Sequence, residues 1–372
     1  MKRVFASLVF LLLFAAAPSL VAEDFQTMAI PDWVMPKINE THARFVAWRG
    51  DDEVVVFPVV SDIHSGIPEI IDPPNFSDPK MHILFAQRAA TRFNADFLAD
   101  LGDNGMDRDT HWAPATRERA LVRMDSTVRI YRDFPLPVLF AMGNHDLGNA
   151  TFTLPVKQFG ETFNGMARKR GAKLVTGPNS DYGYYDIPNK KCRVFFLNSS
   201  EILPWGYKTS QLQFLADHLQ VPKGYCVVVL QHYCIHPTIG AWLPSGPHVA
   251  PNQTLCCKIL EAFAAGAKGE EKDVRWDFAG NRDTRLAGCI TGDSHFDTEA
   301  VLNGVNHVIT QSYGTIQPKN LPKEPVYLRF NRKTEMLVDV VAIKPDQGEM
   351  RFFRIGAGGA DRDRKFTFAT KP

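Results

Sequence analysis

The chain has 372 residues, 45% of them hydrophobic, with 42 Lys and Arg against 41 Asp and Glu. That length holds a sizeable core, and 26 Phe with 6 Trp are too many for a disordered chain. A formal charge of +1 gives no bulk attraction to nucleic acid or an anionic membrane, and six Cys are too sparse for a disulfide-stapled scaffold.

At the N-terminus, Lys2 and Arg3 precede an apolar run from Val4 to Ala17, and Ala22 stands before Glu23-Asp24. A basic start, an apolar stretch of about 14 residues and a small residue before polar sequence predict a secretory signal peptide over 1–22. A spanning helix wants about 20 apolar residues, so an uncleaved anchor is the weaker reading. The expectation is a secreted or periplasmic protein, residues 23–372, with no stable membrane span. In that oxidising setting Cys192, Cys226, Cys234, Cys256, Cys257 and Cys289 have the opportunity to pair. Several lie in strand-like runs where a buried free thiol is the plainer reading.

From Glu53 onward, short apolar runs alternate with helix-like stretches. Strands are expected at Val54–Val60, Ala95–Leu101 and Val138–Met142, and helices at Met81–Phe93 and Pro114–Arg132. Tyr182–Ile187 and Arg193–Asn198 flank Pro188–Lys191 as a hairpin. A helix at Thr209–Leu219, a strand at Cys226–Leu230 and a helix at Leu255–Ala265 follow. Residues 266–273 read as a solvated loop, Leu286–Thr291 as a strand, and Val326–Phe330, Met336–Ile343 and Met350–Ile355 as further strands. Gly356–Gly359 reads as a turn before Asp361–Lys365, a solvated or salt-bridged tail. The alternation is that of an α/β protein, and two β-rich halves with helices outside suggest a layered sandwich. With no linker between the halves, 23–372 is read as one domain, with core motifs over 55–315 and C-terminal strands over 326–366.

Five segments place metal-ligand residues just beyond a strand. They are Asp62-Ile63-His64, Gly102-Asp103-Asn104, Gly143-Asn144-His145-Asp146, His232, and Gly292-Asp293-Ser294-His295. In extended backbone, residues i and i+2 share a side, so Asp62 with His64, and Asp293 with His295, are expected to reach one point. Gly102, Gly143 and Gly292 allow sharp turns where a Cβ is unwelcome. Sorted by type, Asp62, His64, Asp103 and His295 form one set, and Asp103, Asn144, His232 and Asp293 a second, sharing Asp103. Mixed N/O donors without thiolate suit Mn, Fe or Zn. Two cations about 3.5–4 Å apart are a clamp for phosphoryl transfer to water. His236 rivals His232, but His232 has the strand-end position. His42, His82, His111, His218, His248 and His307 fall outside any ligand pattern and read as surface or satisfied core residues.

In this order the motifs resemble the calcineurin-like metallophosphoesterase superfamily, over residues 55–315. The resemblance implies a four-layer α/β/β/α sandwich, two central mixed β-sheets flanked by helices, around two divalent metal ions. It implies that Asp103 bridges them, that a metal-bound hydroxide attacks phosphorus in line, and that His145 stands over the leaving group. A small phosphorylated substrate follows, hydrolysed as a phosphomonoester or phosphodiester. Asp146 is a candidate to orient His145, or else it caps its loop. Asp293 replaces the first His of the usual GHxH, which hardens that half-site towards Mn, Fe or Mg. Met106 stands where purple acid phosphatases carry Tyr, so an Fe(III)–Tyr site is not expected. The rival reading is a non-catalytic exported protein that keeps the fold and binds metal or another ligand; Asp293 alone favours it.

Overall fold

The computed structural model describes residues 30–64, 80–105, 107, 114–149, 152–202, 206–233, 236–240, 250–281, 283–310 and 337–369. The expected signal peptide, Met106, His111, Cys234, His248 and the strand at Val326–Phe330 lie outside them. From Asp32 onward the chain forms one compact unit.

Two sheets make the centre. The first contains β1 (Val55–Val60), β2 (Leu98–Asp100), β3 (Val138–Phe140), and three strands from the end of the chain described below. A short ribbon, β4 (Gly148–Asn149) and β5 (Phe152–Thr153), follows β3. The second sheet takes β6 (Leu174–Thr176), β7 (Gly183–Ile187), β8 (Cys192–Phe196) and β9 (Cys226–Leu230). A second ribbon, β10 (Lys268–Glu271) with β11 (Val274–Asp277), occupies the segment expected to be a loop. Then β12 (Arg285–Thr291), β13 (Thr298–Leu302) and β14 (Val305–Ile309) complete the second sheet. Last come β15 (Leu337–Lys344), β16 (Glu349–Gly356) and β17 (Arg364–Thr367). The first sheet runs β17-β16-β15-β1-β2-β3 and the second β13-β14-β12-β9-β8-β7-β6. In the first, β1, β2 and β3 are parallel out to the β3 edge and the other pairs antiparallel; in the second, β14, β12, β9 and β8 are parallel and both edges antiparallel, so both sheets are mixed.

Strand residues sort by parity. Cys226, Val228 and Leu230 of β9 meet Val55, Phe57 and Val59 of β1 in the core between the sheets. Val227 and Val229 face the other way, into a cluster with Leu212, Leu215, Ile259 and Phe263. Those partners sit on helices α5 (Thr209–His218) and α7 (Gln253–Ala265), numbered after α1 (Val34–Arg49), α2 (Lys80–Phe93), α3 (Arg117–Arg132), α4 (Val156–Lys169) and before the latter α6 (Pro237–Gly240). Burial on both faces explains why β9 reads as an unbroken apolar run. Helices α1, α2 and α4 pack on the outer face of the first sheet, α5 and α7 on that of the second. The architecture is the four-layer α/β/β/α sandwich.

Helices α1 and α4 and strands β6, β13, β14 and β17 were not anticipated. In α1 the buried residues Val34, Ile38, Thr41 and Phe45 form a stripe at helical spacing, a legible signal. In α4, Gly160 and Gly165 dilute the helical pattern. The stretch Asp361–Lys365 is the salt-bridged one of its two readings: it enters β17, where Arg364 is buried on Asp339 at 2.6 Å.

Candidate metal centre

The ends of β1, β2, β3, β9 and β12 lead into five loops that are stitched to one another. Asp62 N–H donates to Gly102 O (2.8 Å), His64 N–H to Asp103 O (3.0 Å), and Gly292 N–H to His232 O (2.9 Å). The loops are not extended. Asp62, His64, Asp103, Asp293 and His295 all have positive φ, between 47° and 63°. The expected pairing of Asp62 with His64, and of Asp293 with His295, therefore arises from left-handed turns and not from strand alternation. Asp and His tolerate this region better than most residues, though each such conformation still costs about 1–3 kcal/mol. The glycines behave as expected. A Cβ on Gly102 would lie 2.4 Å from Gly143 N, one on Gly143 2.2 Å from Asp103 Oδ1, and one on Gly292 1.8 Å from Ser61 Oγ.

The side chains converge in a buried cluster. Asp62, His64 and His295 form one group, and Asp62, Asp103 and His232 a second, each with one ligand atom per residue within 4.8 Å of the others. His295 Nε2 lies 3.1 Å from Asp62 Oδ1 and 3.3 Å from His64 Nε2. Asp103 Oδ2 stands between the groups, 3.2 Å from His232 Nε2 and 4.0 Å from His64 Nε2. Asp293 Oδ1 is 3.5 Å from His232 Nε2, so it faces the second group. Asn144 Oδ1 is buried with no hydrogen bond.

These residues fit cations. His232 Nδ1–H donates to Leu101 O at 2.8 Å, which leaves Nε2 directed at the Asp103 and Asp293 carboxylates without a hydrogen bond. Asp62 Oδ1 is buried and likewise unbonded. Two ring nitrogens 3.3 Å apart, His64 and His295, cannot both present lone pairs without something positive between them. Burial alone would lower the pKa of His232 and His295, but the Asp103 and Asp62 carboxylates outweigh it and raise both. Burial holds His64 down at about 3, a neutral imidazole suited to ligation. The cluster draws positive charge, and divalent ions on N/O donors answer that demand without protons.

His145 stands beside the cluster, its Nε2 3.9 Å from Asp103 Oδ2 and its N–H donating to Asp103 Oδ1 at 2.7 Å. Its orienting partner is Asp107, whose Oδ2 lies 2.8 Å from Nδ1, and not the neighbouring Asp146. Asp146 is turned inward and accepts from the N–H groups of Gly143 (2.9 Å), Asp103 (3.0 Å) and Asn104 (2.7 Å). Burial and the Asp103 charge push it up to about 7, against those N–H bonds. It braces the backbone of two ligand loops, the capping alternative of the sequence reading. Asp100, missed from sequence, does similar work: it accepts from Tyr131 O–H (2.7 Å) and Gly102 N–H (2.9 Å), and burial pushes it up to about 6. His236 is engaged elsewhere, 3.7 Å from Glu261.

No protein-family model and no curated protein sequence matches this chain. Among solved structures, a dimetal phosphatase from Danio rerio is similar with TM-score 0.51 and 12% identity, over 86% of this chain and 100% of that one. GAP50, the anchor in the inner membrane complex of Plasmodium, is similar with TM-score 0.48 and 10% identity, over 86% and 90%. The purple acid phosphatase PPD1 of yellow lupin, Lupinus luteus, gives 0.43 and 14%, over 86% and 53%. The first of these establishes a shared fold: the chain has the fold of the calcineurin-like metallophosphoesterases.

Proposed function

We propose that this chain is an exported phosphoesterase that uses two divalent cations to hydrolyse a phosphomonoester or phosphodiester of a small substrate. The observation that carries the reading is the buried convergence of Asp62, His64, Asp103, His232 and His295, with Asp62 Oδ1 and His232 Nε2 facing the cluster without a hydrogen bond. Asp62, His64, Asp103 and His295 would hold one ion, and Asp103, Asn144, His232 and Asp293 the other. The added carboxylate of Asp293 favours Mn or Fe over Zn. When bound, such a pair neutralises phosphoryl oxygens and lowers the pKa of a water between them. His145 is proposed to hold or deliver a proton at Nε2 towards the leaving oxygen, with Nδ1 fixed by Asp107.

The test is turnover by protein stripped of metal and reloaded with Mn, Fe or Zn, assayed on phosphomonoesters, diesters and pyrophosphate. Asp103→Asn is expected to lose both ions and turnover. His145→Ala is expected to keep the ions and lose about 10²–10⁴-fold in kcat. Two tightly held ions without turnover on any substrate would leave the non-catalytic binding protein as the better reading. Export rests on residues 1–22, and the exported material is expected to begin at Glu23. Among the described residues no helix is long and apolar enough to cross a membrane.

A further inference from the structure

The loop between β12 and β13 supplies one residue to each proposed ion, His295 to the first and Asp293 to the second. Its first half is tied by Gly292 N–H on His232 O and by Asp293 N–H on Asp62 Oδ2 at 3.1 Å. His295 lacks the usual second anchor. A metal-binding His normally donates its far ring nitrogen to a carbonyl or carboxylate; His232 does so, but His295 Nδ1 is buried with no hydrogen bond. With Nδ1 unanchored, the His295 ring is directed by its Nε2 contact with Asp62, at 3.1 Å, and by the backbone on either side of it.

That backbone is held by a charge outside the cluster. Asp297 is 5% exposed, and its Oδ1 accepts from Arg354 Nη2 at 2.7 Å. Arg354 is wholly buried on β16 and grips Asp339 on β15 with Nε and Nη2 at 2.7 and 3.0 Å. Arg364 Nη2 and Thr310 Oγ1 also donate to Asp339, at 2.6 and 2.7 Å. Asp339 pairs across the sheet with Val59, on the strand that leads to Asp62 and His64. Arg354 thus connects the sheet bearing the first ligand pair to the loop bearing the second by hydrogen bonds, with Arg364 Nη1 standing farther off, 3.7 Å from Asp297 Oδ1. A buried ion pair adds little net stability over an apolar contact. Its planar, forked geometry does fix direction.

We propose that Arg354, acting through Asp297, is the positioning residue that sets where His295 and Asp293 stand relative to Asp62 and Asp103. This role rests on the phosphoesterase reading of the cluster.

The decisive variant is Asp297→Asn, because Arg354 keeps its two bonds to Asp339 within the first sheet, while Thr310 and Arg364 still tie that sheet to the end of β14 in the second. Metal titration of the folded protein is expected to show affinity weakened about 10–100-fold, the usual scale for a lost outer partner. Arg354→Lys, which keeps the charge and loses the fork, is expected to shift affinity the same way. Leu215→Ala, a buried change on α5 in the cluster outside the second sheet, is expected to lower thermal stability and leave metal affinity unaltered. Asp297→Asn protein that binds both ions with unaltered affinity overturns the proposal, as does an equal weakening by Leu215→Ala. Failure of the unaltered protein to take up any divalent ion overturns the phosphoesterase reading itself, and this role with it.

Discussion

Asp107 shows what a single residue adds to the site. Its carboxylate holds His145 Nδ1 at 2.8 Å and so fixes which ring nitrogen faces Asp103. Asp107→Asn is expected to lower kcat about 10- to 100-fold, within the range of a misdirected acid–base group, and to leave metal stoichiometry unchanged. Steady-state kinetics beside metal analysis checks this, and loss of bound ion would show that Asp107 serves the ligands and not His145. Nothing in the sequence singled out Asp107. It lies 38 residues from His145, and their meeting depends on how two loops fold over one another. Asp146 was legible as important but not in its role. Adjacency in the chain suggested contact with His145, whereas the backbone turns its side chain inward to three N–H groups. The candidate ligands were readable because each follows an apolar strand, a pattern that three-dimensional structure converts into convergence.

Helix α4 and the β13–β14 hairpin show where element-scale reading failed for different reasons. Two glycines weakened the helical pattern of α4, and they are not equivalent. A Cβ on Gly165 meets nothing within 4 Å, while one on Gly160 would lie 2.3 Å from Asn179 O. Gly165→Ala is expected to stabilise the protein by about 0.5–1 kcal/mol through helix propensity. Gly160→Ala is expected to destabilise it by about 1–3 kcal/mol through overpacking. Urea midpoints at constant m-value separate the two; equal effects would mean that propensity alone governs this helix. The hairpin, by contrast, carried its signal openly. Asn303-Gly304 both adopt positive φ, 48° and 80°, as a two-residue turn between twisted strands requires. Arg354 was equally visible: a charged residue inside the run Phe352-Phe353-Arg354-Ile355 announces a buried partner.

For the whole molecule, the near-balance of 42 basic and 41 acidic residues conceals opposite local solutions. In the cluster, carboxylates and imidazoles face one another as candidate donors to cations. Beneath it, Arg354 and Arg364 compensate Asp297 and Asp339 with protein charge alone. Burial would raise the Asp339 pKa, but the two guanidiniums outweigh it and hold it below the ordinary carboxylate value. A depressed folded pKa contributes stability that is present above the unfolded value, about 3.9, and is lost as pH falls through the folded one. Below about pH 4 the unfolding midpoint of the unaltered protein should therefore decline in part through Asp339. Asp339→Asn is expected to cost about 3–5 kcal/mol at neutral pH by stranding buried guanidinium charge, and to flatten the acid limb. An acid limb as steep as before would assign the loss to other carboxylates.

The strand order of the first sheet bears on how the protein is made. β1 is paired on one side by β2 and on the other by β15, which with β16 and β17 comes last among the described strands. During synthesis Val55–Val60 must wait, one edge open and both faces apolar, until nearly all the remaining chain has emerged. An open apolar edge invites pairing with other chains, and Pro58, lacking an N–H, blunts it only at one position. A ribosome-released fragment lacking the last three strands would thus expose that edge of β1, and the end of β1 leading to Asp62 and His64 would have β2 alone for a neighbour.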